Sequence, residues 1–266
     1  MIEVLKPLFV GELAPYRDVL VLADDPRPSR PVADWLAPTR FEQVLSTYGA
    51  PRNADERRGL ASEWSKDYLS RLLPPVVAAI LVMGHCLPLA LTSIELVLGD
   101  AGEPLAFKLP AAGSPWPPVP PDQAADPFRR FAPLMDDHLD PLVAALSGYS
   151  RLSPRVFWSN AANYVEWMVS AIASRMPAAR VDDARAMLEL RQRVDGRDNP
   201  LYRPVRYRTE GEGRAAITRR QRRVCCVRYL VPDRSLCANC PLSVLPGKTM
   251  EVPGETGISG SDTLAD

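Results

Sequence analysis

The sequence predicts an α+β fold: a predominantly helical body carrying one β-hairpin, followed by a small C-terminal cysteine module. Three observations carry that prediction. Several windows between residues 39 and 194 repeat apolar residues at three- and four-residue steps. Two runs of alternating character flank a Gly-rich turn at Gly99-Asp-Ala-Gly-Glu-Pro104. Near Asp195–Asn199 the helical periodicity fades and arginines accumulate, and four of the five cysteines then fall within sixteen residues. The chain therefore divides into a body (1–195), a cysteine module (196–245) and a tail (246–266) whose Gly, Ser, Thr and acids predict disorder.

In chain order, Asp18–Ala23 is a strand candidate, and a proline-rich stretch at Pro26, Pro28 and Pro31 follows it. Thr39 is a candidate N-cap for a helix to about Tyr48, with Gly49 as its stop. A second helix should run from about Asn53 to Arg71, with Leu60, Trp64, Tyr68 and Leu72 on one buried face. Ser93–Leu98 and Leu105–Leu109 read as the hairpin, and Pro110–Pro127 as an extended loop around Trp116. Three more helices are expected at about Pro127–Ser147, Pro154–Ser174 behind a capping Ser153, and Asp182–Val194 before Gly196.

Leu72–Ile94 runs 23 residues without a charge and is the one candidate for a membrane span. Its details favour a buried helix. Pro74 and Pro75 suit a first turn and Gly84 an end, leaving about 11 residues, or roughly 16 Å, too short to cross a bilayer. The opening Met-Ile-Glu-Val-Leu-Lys-Pro has no secretion-signal pattern. The expected location is the cytoplasm, with at most peripheral contact at the inner face of the membrane. The 32 basic and 32 acidic residues cancel, which argues against a nucleic-acid partner.

The cysteines carry the chemistry. Cys237-Ala-Asn-Cys240 is a chelating pair, because two intervening residues form a turn that brings both sulfurs to one ion. Cys225-Cys226 is unusual: adjacent side chains diverge in extended backbone, so the pair reaches one ion only through a sharp turn, or else spreads over two irons. Zinc ribbons space both halves as C-x₂₋₄-C, and this chain does not. The spacing therefore favours a [2Fe–2S] cluster, with structural zinc and a redox-active thiol pair left open.

The run from Arg222 to Leu242, with its Cys-Cys-x₁₀-Cys-x₂-Cys spacing, resembles the C-terminal motif of FhuF-type ferric-siderophore reductases. Trp64-Ser-Lys-Asp-Tyr-Leu-Ser-Arg-Leu-Leu-Pro-Pro and Phe157-Trp-Ser-Asn-Ala-Ala-Asn-Tyr resemble that family's helical body more loosely. The resemblance implies a [2Fe–2S] cluster on Cys225, Cys226, Cys237 and Cys240, a ferric siderophore as substrate, and one-electron reduction that releases iron in the cytoplasm. Reduction suits release, since hard oxygen donors hold Fe²⁺ less well than Fe³⁺. The competing readings are a zinc-stabilised siderophore-binding or interaction protein without redox activity, and an iron–sulfur sensor of redox state or iron.

Arg222, Arg223 and Arg228 lie amid further arginines at 214, 219, 220 and 234, and are candidates for docking an acidic electron donor or an anionic ferric complex. Gly211-Glu-Gly-Arg-Ala-Ala216 fits a dinucleotide fingerprint in letters but lacks the preceding buried strand. With no nicotinamide or flavin signature, electrons must arrive from a separate protein of ferredoxin or flavoprotein type. His85 and His138 read as satisfied structural histidines. Trp158, Asn160, Asn163 and Tyr164 share a helix face that packs against a neighbour or lines a pocket.

Overall fold

The computed structural model describes residues 1–118, 126–210 and 217–242. The Gly211–Ala216 stretch, whose letters fit a dinucleotide fingerprint without its context, and the tail expected to be disordered lie outside these residues. In order, the elements are β1 (Leu20–Leu22), β2 (Arg30–Pro31), α1 (Val32–Trp35), α2 (Pro38–Gly49), α3 (Ala54–Ala78), β3 (His85–Cys86), β4 (Glu95–Leu98), β5 (Pro104–Leu109) and β6 (Ser114–Pro115). They continue with α4 (Ala132–Leu134), α5 (Asp140–Ser150), α6 (Pro154–Ala173), α7 (Asp182–Glu189), β7 (Val205–Glu210) and β8 (Ile217–Arg222). Among the described residues no helix is long and apolar enough to cross a membrane.

The axis of the fold is α3, which packs along α6 and against β5. Asn53 caps it, its side chain accepting from the Glu56 N–H at 2.9 Å while Nδ2 donates to the Glu56 carboxylate. Trp64 and Tyr68 are fully buried. The Trp64 indole N–H donates to Gly102 O at 3.0 Å, pinning the hairpin turn to the helix. Gly102 has φ +77, and a Cβ there would stand 2.9 Å from Val44 O, so this turn needs glycine.

Instead of two helices meeting at Pro74, the structure has one that runs through Pro74 and Pro75 and ends in a π turn, Ala79–Met83. A proline inside a helix costs about 3 kcal/mol. Here Leu72, Leu73, Val76 and Val77 are all fully buried, and each contributes roughly 1.5–3 kcal/mol, so packing outweighs the two prolines. Gly84, left-handed at φ 61, terminates the segment as expected. Other boundaries shift. Pro38 takes the first helical position of α2 ahead of Thr39, the left-handed stop falls on Ala50, and α7 ends at Glu189.

The hairpin β4–β5 forms as predicted, within a sheet of order β1-β5-β4-β2 in which β1 runs parallel to β5. The helix expected over Pro127–Ser147 is a composite, passing through α4, a π turn at Met135–Leu139, and α5. The π turn carries His138, fully buried, with one ring nitrogen on Leu89 O and the other on the Tyr68 hydroxyl, both at 2.8 Å. The carbonyl can only accept, so Nδ1 holds the proton and Nε2 accepts from Tyr68. Burial pushes the imidazole pKa down to about 4, so it stays neutral. His85 likewise meets Ala112 O at 2.8 Å.

The antiparallel pair β7–β8 was not expected from the sequence. Its strands are arginine-rich: Val-Arg-Tyr-Arg-Thr-Glu alternates only briefly, through Val205 and Tyr207, and Ile-Thr-Arg-Arg-Gln-Arg has one apolar residue and no alternation. It delivers the chain to the cysteines.

Candidate metal centre

Two loops converge beyond β8. Directly after Cys225-Cys226 the backbone turns: Val227 is left-handed at φ 51, ψ 20, and a 3₁₀ turn follows at Arg228–Leu230. A β-branched residue avoids that region. The strain accompanies the sharp turn that adjacent cysteines need if their sulfurs are to face a common point. Cys237 and Cys240 sit on a tight turn closed by Cys240 N–H donating to Cys237 O at 2.9 Å. Between the loops, Cys226 Sγ and Cys237 Sγ are 3.9 Å apart. Two sulfurs on one tetrahedral ion with bonds of about 2.3 Å are separated by about 3.8 Å. One sulfur from each loop thus stands at shared-ion distance, although among the described residues no group of three or more Cys, His, Asp or Glu side chains is assembled closely enough to hold a metal ion. The chemistry of the four thiols still suits a thiolate-ligated metal group.

The four cysteines differ in access. Cys226 and Cys240 are buried, whereas Cys225 and Cys237 are half-buried. Backbone amides address two sulfurs: Val227 N–H donates to Cys225 Sγ at 3.3 Å and Leu242 N–H to Cys240 Sγ at 3.4 Å. Hydrogen bonds from the Cys225 and Cys237 thiols pull the Cys226 pKa well down, helped by Lys66 and Arg222. The same contacts hold the Cys225 and Cys237 protons on. The neighbouring thiols, with some help from protein charge, therefore support a thiolate at Cys226, and further thiolates beside it call for a cation among the sulfurs.

A buried polar network ties these loops to the body. Ser62 Oγ on α3 donates to Cys226 O at 2.6 Å, and Ser159 Oγ on α6 donates to Val224 O at 3.2 Å. Asn160 Nδ2 reaches Ser62 and Ser65, and its Oδ1 accepts from Arg222 Nη2 at 2.5 Å. Asn239, between the two chelating cysteines, donates to Asn163 Oδ1 at 2.7 Å. Gly59 completes the fit, because a Cβ there would stand 2.8 Å from Val231 Cγ2 and 3.1 Å from the Val231 nitrogen.

The three arginines singled out for docking part ways. Arg222 is 2% exposed, its guanidinium held by Ser159 and Asn160, so it faces the sulfurs and cannot meet a partner at the surface. Its Nε has no hydrogen-bond partner, and among the described residues no carboxylate lies within salt-bridge distance of it. A buried guanidinium needs a counter-charge, and the charge it faces is that of the cysteines. Arg228 reaches Glu63 on α3 at 3.5 Å and anchors its turn to the body. Only Arg223 is exposed. Asn160 and Asn163 are framework rather than pocket lining, joined to the cysteine loops and to Arg220. Sequence reasoning missed Ser62, Ser65, Ser159 and Gly59. The available signal was the paired three-residue spacing of Ser62/Ser65 and Asn160/Asn163 on two facing helices.

Comparison with known proteins matches this arrangement. Residues 62–215 match the family described as ferric iron reductase FhuF-like transporter, and residues 222–242 match the FhuF 2Fe-2S C-terminal domain. The chain is also 26% identical over 231 residues to the ferric siderophore reductase of Escherichia coli (strain K12), covering 82% of each. The C-terminal match decides between the metals that four thiolates accept equally well: the cofactor is a [2Fe–2S] cluster, not structural zinc.

Proposed function

Since this chain belongs to the FhuF-like family of ferric iron reductases, we propose that it reduces the iron of a ferric siderophore by one electron, using a [2Fe–2S] cluster held by Cys225, Cys226, Cys237 and Cys240. The observation that carries this reading is the convergence of Cys226 and Cys237 at 3.9 Å from two separate loops. When bound, the cluster supplies one-electron storage and transfer, with a potential set by charge, hydrogen bonds to sulfur and exposure. The chain's own residues supply those variables. The Val227 and Leu242 amides donate to sulfur, Arg222 and Lys66 contribute positive charge, and the half-buried Cys225 and Cys237 form the edge that faces solvent.

Each turnover consumes one electron from an external donor protein of ferredoxin or flavoprotein type. Siderophore-bound Fe³⁺ takes up that electron and leaves as Fe²⁺, which oxygen donors hold more weakly. We assign the reaction to the cytoplasm, where a reduced donor is available. The test is anaerobic incubation of the purified protein with a reduced donor, a panel of ferric siderophores and a colour-forming Fe²⁺ trap. One Fe²⁺ per donor electron, abolished by Cys237→Ser, is the expected result. An intact cluster that reduces no complex in the panel contradicts it and favours a sensor.

A further inference from the structure

On the outer face of β7 a cleft of about 810 Å³ lies between α6, α7 and the segment leading into the strand. That is the size of a small-molecule site, which typically spans about 300–1,000 Å³. Its walls carry Arg185, Arg203, Arg206 and Arg223, against Glu166 and Glu189. Both acids are engaged. Glu189 is paired with Arg203. Glu166 accepts from Arg220, Tyr207 and Ser170. Arg206 donates to the Gln221 amide at 2.8 Å and Arg223 to Val205 O at 3.5 Å. Among the described residues neither of these two arginines has a carboxylate within salt-bridge distance.

Two hydrogen-bond routes join this cleft to the cysteine loop. Gln221, which holds Arg206, donates from Nε2 to Cys240 O at 3.0 Å. Glu166 holds Arg220, Arg220 donates to Asn163 at 2.8 Å, and Asn163 accepts from Asn239 between Cys237 and Cys240. A molecule seated here stands against the side of the module that carries the chelating turn.

Resting on the reductase reading above, we propose that the cleft is the seat of the ferric complex and that it selects anionic complexes over neutral ones. Three catecholates leave a ferric centre trianionic, and citrate-type complexes are also anionic, whereas three hydroxamates leave it neutral. Guanidinium groups without a carboxylate partner pair with catecholate and carboxylate oxygens through charge-assisted hydrogen bonds, and gain far less from a neutral chelate. The concave shape suits a compact chelate rather than the convex surface of an acidic donor protein.

Gallium(III) separates binding from reduction, since it matches Fe³⁺ in charge and is redox-inert. Binding of gallium tris-catecholate and gallium tris-hydroxamate complexes to the full chain is measured for the wild type, for Arg206→Gln with Arg223→Gln, and for Ser174→Glu. The last change adds a carboxylate to the lining without altering an arginine. The double variant should bind the catecholate complex roughly tenfold more weakly at low salt, less so as salt rises, while hydroxamate binding changes less than about twofold. Ser174→Glu should move catecholate binding the same way by a smaller factor. Equal losses for both complexes, or unchanged catecholate binding, overturn the proposal. So does unchanged gallium binding with a raised KM for the donor protein, which would make the cleft a donor dock. Gallium binding as expected with no reduction of the ferric counterparts leaves the cleft standing and overturns the reductase reading.

Discussion

The inner and outer faces of the cysteine module use the same residue type for opposite ends. Arg222 points inward, 2% exposed, held by Ser159 and Asn160 beneath the sulfurs. Its neighbour Arg223 is exposed and lines a cleft open to solvent. β8 ends at Arg222 and the chain bends at Arg223, so one step along the chain separates a structural charge from an exposed one. The lesson is about environment: a guanidinium in low dielectric acts strongly on neighbouring sulfurs, while one in water acts on what diffuses past and is screened by salt.

The largest expected difference follows from removing the inner charge. Arg222→Gln should cost about 3 kcal/mol of stability, because it leaves the Asn160 and Ser159 acceptors and the cysteine charge without their donor. Denaturant unfolding together with iron content measures this. Arg222→Lys should not restore it, since an ammonium lacks the planar fork. A fully loaded, equally stable glutamine variant would erase the distinction between the faces.

The inner face leans on the body, and His138 gives the body an acid limit. The unfolded histidine protonates near its ordinary pKa of 6.5 but the folded one only at about 4, so the unfolded state binds more protons between those values. Stability is therefore complete above about pH 6.5 and falls as pH drops toward 4, by about 3 kcal/mol in all. A His138→Gln chain should lose that slope, as thermal unfolding across pH 4 to 7 would show.

Gly59→Ala sharpens the comparison because two effects oppose. Helix propensity alone predicts a gain of about 1 kcal/mol. The approach of Val231 predicts a net loss of roughly 1–2 kcal/mol and a displaced cysteine turn. Stability and the visible spectrum decide the sign. Smallest of all, Arg223→Gln should shift stability by less than about 0.5 kcal/mol, and its effect on anionic complexes should fade with salt.

Much of this was legible in the sequence because local chemistry governs it. The helix start at Asn53, the Ser153 cap, the Gly84 stop, the hairpin turn and the cysteine spacing each follow from a few neighbouring residues. What escaped depends on tertiary context. The passage of α3 through Pro74 and Pro75 rests on burial from all sides, and in the β7–β8 pair the alternation is confined to Val205 and Tyr207 and absent from β8. The inward turn of Arg222 is set by Asn160, more than sixty positions away. For that reason Arg222, read from charge alone as a docking residue, is buried away from any partner, while the half-buried Arg228 is tied to Glu63.

The most direct test is iron, acid-labile sulfide and low-temperature electron paramagnetic resonance on protein isolated without oxygen, beside Cys226→Ser and Cys86→Ser. The account predicts two irons and two sulfides per chain with a signal on one-electron reduction, lost in Cys226→Ser and kept in Cys86→Ser. Wild-type protein free of iron and sulfide, or equal loss in both variants, would contradict it.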